Sequence, residues 1–187
     1  MALFPRVRMR ALALHIRDTL RSGINAQITQ AIAETPGEAP ATNLATISNT
    51  TEQIIFSDHD DYEPVLYPSI RVANPRVRML PMSSATVVDV QSTYLISVYT
   101  EQVAGRGLCT DDIIGPLSET TLDLVECVRA CIEKDYTSTT FGDLILCQGY
   151  ERTEAPQDPE DPCVMRLKYT MTWVATARMR HSRGATT

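Results

Sequence analysis

The apolar positions of the chain change period several times, and each change marks an element. Over residues 5–34, Leu12, Ile16, Leu20, Ile24, Ile28 and Ile32 recur every four residues, close to the helical repeat. Pro5 suits a first helical position and Pro36-Gly37 stops the helix, while Gly23 predicts a kink or a division into two helices. A four-residue spacing drifts around the axis, so this helix is expected to wrap over a sheet instead of following a straight seam. Residues 36–51 carry neither period, and their Pro, Ala, Thr and Asn content predicts a loop. Residues 53–56 and 68–73 read as short apolar strands with an acidic turn between them; Asn74-Pro75 and Pro81 break the chain before the next strand. Residues 85–102 alternate, with Tyr94, Ile96 and Val98 on one face and Thr93, Leu95, Ser97 and Tyr99 on the other. Such a run exceeds the usual five or six residues, so it predicts a bulge or a hairpin arm projecting beyond the sheet.

A second helix follows. Thr110 and Asp111 are good caps, and Gly115-Pro116 predicts a restart with proline in the first turn. Leu117, Leu124, Val128 and Ile132 trace its apolar stripe, with Val125 and Cys131 beside it, and the helix should end near Asp135. Two strands complete the pattern, over residues 144–151 and 163–176. In the second, Cys163, Met165, Leu167, Tyr169, Met171 and Trp173 share an apolar face opposite Arg166, Lys168, Thr170 and Thr172. The connection between them, rich in proline and acid, predicts an exposed hairpin loop. The order α-β-β-β-α-β-β gives an α+β fold: one mostly antiparallel sheet with the long N-terminal helix and the second helix packed on one face. A single domain over residues 1–187 is expected, with the helix and linker in 1–51 and the sheet and second helix in 52–180.

The composition agrees with a folded chain: 187 residues, 43% hydrophobic and 21% charged. A net charge of −6 disfavours general nucleic-acid binding. The charge is unevenly placed. Arg6, Arg8, Arg10, Arg17 and Arg21 stand near the start, and Arg178, Arg180, His181 and Arg183 near the end. Acids gather at Asp58, Asp60, Asp61 and Glu63, and again at Glu151, Glu154, Asp158, Glu160 and Asp161. Basic ends and acidic loops of this kind can steer one copy against another or against a different partner. The five cysteines, Cys109, Cys127, Cys131, Cys147 and Cys163, are odd in number and irregular in spacing, so they make no disulfide framework. No secretory signal or membrane span is read in the sequence, and folding in a reducing, cytoplasmic setting is expected.

Candidate chemistry changes the picture little. Cys127 and Cys131 lie four residues apart on one side of a helix. Without two further ligands at a suitable spacing they read as small buried residues, not as a zinc or redox pair. The run Asp58-His59-Asp60-Asp61 fails as a calcium loop: counting from Asp58, the sixth position holds Glu63 and the twelfth Ser69, where Gly and Glu are needed. His15, His59 and His181 fall in no nucleophile signature, and Gly105-Arg106-Gly107 is too short to cradle a phosphate. No catalytic, metal or cofactor site is expected, and the protein is expected not to be an enzyme.

The series from the strand QSTYLISVYTE through the helix LSETTLDLVECVRACIEKDY to LILCQGYERTEAPQDPEDP and CVMRLKYTMTW, with YPSIRVAN upstream, resembles the tail terminator proteins of long-tailed, lambda-like and related bacteriophages. The resemblance covers roughly residues 64–176 and rests on element order and hydrophobic pattern. It implies a virion structural protein of the tail-neck region: a hexameric ring that caps the tail tube, ends its polymerisation and joins the head connector. The implied partners are further copies of the chain, the tail tube protein and neck or connector proteins. DNA would pass through the lumen without specific binding, and no membrane is involved. The interface candidates are Arg6, Arg8, Arg10, Arg76, Arg78 and Arg106 on the basic side, and Glu154, Asp158, Glu160 and Asp161 on the acidic side, with the stretches 75–84, 105–111 and 154–161 read as projecting loops. Two alternatives stand beside this: a neck protein between portal and tail, and a cytoplasmic binding module or small enzyme.

Overall fold

A computed structural model describes residues 5–34, 44–57, 64–73, 75–80, 87–103, 111–135, 144–154 and 164–180. Helix α1 (Pro5–Glu34) and helix α3 (Asp111–Asp135) lie against one face of a six-stranded sheet, with a single turn, α2 (Thr50–Gln53), leading into it. The strands are β1 (Ile54–Ser57), β2 (Ser69–Ala73), β3 (Arg76–Met79), β4 (Val87–Val103), β5 (Leu144–Glu154) and β6 (Val164–Arg180). Their order is β1-β2-β4-β6-β5, and β3 pairs with β4 beside β2. All pairings are antiparallel except β1 with β2. The architecture is the expected α+β one, with helices on one face.

The alternation read in the sequence sets both faces. Tyr94, Ile96, Val98, Met171, Trp173 and Ala175 are fully or almost fully buried beneath the helices. They join Ile54, Ile70 and Val72 in one core with the α1 stripe and with Leu124, Val125, Val128 and Ile132 of α3. Leu12, Ile16, Leu20, Ile24 and Ile28 are each at most 2% exposed, but Ile32 is 49% exposed. The physical reason is the drift of a four-residue spacing, about 40° per step, which carries the stripe off the sheet by its sixth member.

Several expectations are corrected. Gly23 does not divide the first helix. It sits where α1 crosses α3, and an added Cβ would lie 2.8 Å from Cys131 Sγ, so the glycine serves close approach. Pro116 does not restart α3. It is the sixth residue of one continuous helix, and it lacks the amide that would have bonded to the Asp112 carbonyl. Residues 76–79, expected in a loop, form β3, because Pro75 and Leu80 bound a run that matches Val90–Thr93 of β4 in register. The 17-residue strands β4 and β6 pair along their whole length, about 56 Å, so the long run in β4 is stabilised by a partner that follows α3 and β5 in sequence, not by a neighbouring hairpin arm. The irregularity lies in β5, between Cys147 and Gly149, whose φ of 135° favours glycine.

Part of the linker is bound to the helix. The Asn25 side chain acts as a strand edge: Oδ1 accepts from the Ile47 amide at 2.8 Å and Nδ2 donates to its carbonyl at 3.0 Å. Ile47 is thereby buried in the core. Gln53 is buried and satisfied. It accepts from the Asn49 amide at 2.8 Å and donates to the Pro68 carbonyl at 2.9 Å, which ties β1 to the start of β2. Arg21 donates to the carbonyls of Ile54 and Thr51, at 2.9 and 2.6 Å. Burial, with the neighbouring Arg17 charge, holds its pKa below the usual arginine value.

Candidate functional site

The sheet buries one face under helices and keeps the other free of them, and this asymmetry places the charged side chains. On the helix-free face several cross-strand neighbours of β4 and β6 are polar pairs in register, beside the pairs Leu95–Thr172 and Thr93–Val174. Ser97 and Thr170 share a hydrogen bond of 3.1 Å, Lys168 lies over the Tyr99 ring at 5.4 Å, and Arg166 donates to Glu101 at 2.8 Å. Arg166 also lies 5.5 Å from the Tyr67 ring centroid. These pairs hold their charges within the copy, and Tyr99 and Ser97 beneath them are each 5% exposed. The face thus carries engaged polar side chains with Leu95 and Val174 among them.

The edges are different. Among the described residues strand β5 pairs with β6 only, and from Gln148 to Arg152 its residues are exposed. This is a long free edge, of the kind that folded proteins usually cover or blunt. On the opposite side, β3 is a second free edge, with Arg76, Val77 and Arg78 exposed. The remaining edge, β1, has the Ile54 carbonyl taken by Arg21 and its Phe56 ring under Arg10, with 5.7 Å between guanidinium and ring centroid. Thus, among the described residues, α1 side chains engage β1, and β3 and β5 are open.

Of the residues singled out from sequence, Arg76 and Arg78 stand on an open edge, both on the helix-free face because they pair with Thr93 and Gln91. Arg10 is exposed on α1 but engaged with Phe56. Arg6 and Arg8 lie in the first turns of α1, and Glu154 ends β5; the placement of their side chains is outside the described residues, as are Arg106, Asp158, Glu160 and Asp161 altogether. Sequence reasoning missed Glu151 as an edge residue, because the extent of β5 and its position at the end of the sheet depend on long-range pairing. The signal for β3 was the alternation Arg76, Val77, Arg78, Met79 between two prolines.

A groove of about 600 Å³ runs between α1 and α3, lined among others by His15, Asp18, Ser22, Gln27, Cys131 and Lys134. In its wall Cys131 is buried and its thiol donates to the Thr19 carbonyl at 3.6 Å. Cys127 is also buried, and burial, with Asp123 nearby, pushes its thiol up to about 11. Among the described residues no group of three His, Cys, Asp or Glu side chains is placed to hold a metal ion, and no helix is long and apolar enough to cross a membrane. No family model matches this chain, and no curated protein matches it.

Proposed function

We propose that this protein is a virion structural protein of the phage tail-neck region, a tail terminator that assembles as a closed ring, caps the tail tube and presents a docking surface to the head connector. The observation that carries the reading is the pair of open sheet edges, β3 and β5, on opposite sides of one sheet. Different surfaces on the two sides of a subunit make heterologous contacts, and these close into rings when the rotation permits. The second support is the sidedness of the fold. The helices cover one face and leave the polar, internally paired face available to line a lumen. On that face the contacts of Arg166 with Glu101 and of Lys168 with the Tyr99 ring engage two cations, which lessens the cationic surface offered to passing DNA. The sequence resemblance to the terminator family points the same way.

Native mass spectrometry with negative-stain imaging of the purified protein tests the ring. The expected result is one closed stoichiometry with a central hole; a monomer at every concentration counts against it. A second reading, a small binding module, draws on the groove between α1 and α3 with His15, Asp18 and Lys134 on its walls. It predicts a monomer that takes up a small polar ligand there.

A further inference from the structure

Strand register shows how far apart the two open edges are and which charges they carry. Along the sheet β3, β4, β6 and β5 follow one another, so β3 and β5 are three strand spacings apart, about 14 Å. Glu151 pairs with Thr170, which pairs with Ser97, so Glu151 lies on the helix-free face. Arg76 and Arg78 share that face. An acid on one open edge and two arginines on the other cannot meet within one copy, but they face each other wherever two copies join edge to edge. Directions agree as well. β5 runs parallel to β4 and β3 antiparallel to it, so β5 beside the next copy's β3 gives an antiparallel pair.

The register of that pair follows from closure. In a barrel the strands tilt by roughly 35–45°. Over the four strands each copy supplies, this tilt shifts one copy against the next by about four to six residues along the strand. Glu151 is level with Ser97 of β4, whereas Arg76 and Arg78 are level with Thr93 and Gln91. The offsets, four and six residues, fall within the same range. With the helices outside, and the β4–α3–β5 crossover right-handed as such crossovers are, the shift runs in the direction that lowers Glu151 toward β3. The shift also solves a steric problem. Unshifted, Gly149 to Glu154 would meet the step formed by β2 and β1, which flank β4 from Ile96 to Tyr99. A six-residue shift clears the step.

We infer that the ring closes by antiparallel pairing of β5 residues 149–153 of one copy with residues 76–80 of the next, with Glu151 opposite Arg78. The occupant of the open β5 edge is thus a second copy of this chain. This inference rests on the ring reading above and specifies its contact. Opposite charges directly across a strand pair are favourable and like charges are unfavourable.

Charge reversal tests it in the full-length protein by sedimentation velocity at low salt. Glu151→Arg alone and Arg78→Glu alone should each raise the half-assembly concentration by roughly tenfold or more, the effect being repeated at every contact of the ring. The combination should restore assembly to within a few-fold of the unmodified protein. Thermal melts confirm that the variants fold, since both side chains are exposed. Should a reversal misfold, mixing Glu151→Cys protein with Arg78→Cys protein under mild oxidation reads the same contact, the expected product being a disulfide between copies. Rings that form as readily with either single reversal, or a combination that restores nothing, or the absence of that disulfide, would overturn this contact and leave the ring reading standing. An unmodified protein that never assembles would overturn both.

Discussion

Gly23 and Cys131 meet where α1 crosses α3, and the separation there leaves no room for a methyl group. In an exposed helix interior Gly→Ala stabilises by about 1 kcal/mol. Here Gly23→Ala should fail to gain that and should lower the melting temperature, because the buried Cys131 must move. In a Cys131→Ala background the same change should become stabilising. A double-mutant cycle from thermal melts reads the coupling, and strictly additive effects would show that the helices do not touch at this point. Cys127 carries a second residue-scale prediction. Its thiol is raised to about 11 by burial, against an ordinary value of 9.0. A raised folded pKa favours the neutral form, so this contribution to stability is full below about pH 9 and is lost as pH rises from 9 toward 11. Denaturation monitored across that window should show the decline, and at pH 8 Cys127 should resist alkylation until the protein is unfolded. Modification of the native protein at the rate of a free thiol would contradict the burial.

At the scale of elements, strand phases were legible because alternation decides them. The face assigned to β6 puts Trp173 in the core, and it is 1% exposed. Trp173→Ala should cost about 3–5 kcal/mol, mostly as lost packing. Its indole nitrogen finds no hydrogen-bond partner among the described residues, so Trp173→Phe should cost clearly less than Trp173→Ala. Equal losses for the two variants, measured by chemical denaturation, would mean that the nitrogen does have a partner. Helix existence was legible too, from the stripes of α1 and α3. What failed were features set by other elements. Gly23 is dictated by α3, β3 by its match to β4, and the partner of β4 by a strand some 75 residues later. The edge position of β5 belongs to the same group. The charges read as contacts from sequence, Arg76 and Arg78 among them, follow from composition and loop placement; register adds that these two stand on the β3 edge and brings in Glu151 on the β5 edge, which composition does not contain.

At the scale of the whole molecule, the fold combines a one-sided helical layer with a sheet that ends in two open strands. Placing several such sheets edge to edge gives a barrel with polar pairs inside and helices outside, and satisfies the two edges that one copy leaves open. Under the proposed function the two rims of such a ring would meet the tail tube and the connector, which is what ending a polymer requires. The most direct measurement is electron microscopy of virus particles assembled with and without this chain, scoring tail length and head attachment. The account predicts that without it tail tubes are irregular, many overlong, and fail to join heads, and that supplying the protein restores uniform length and joining. Tails of normal, uniform length joined to heads in its absence would contradict the account.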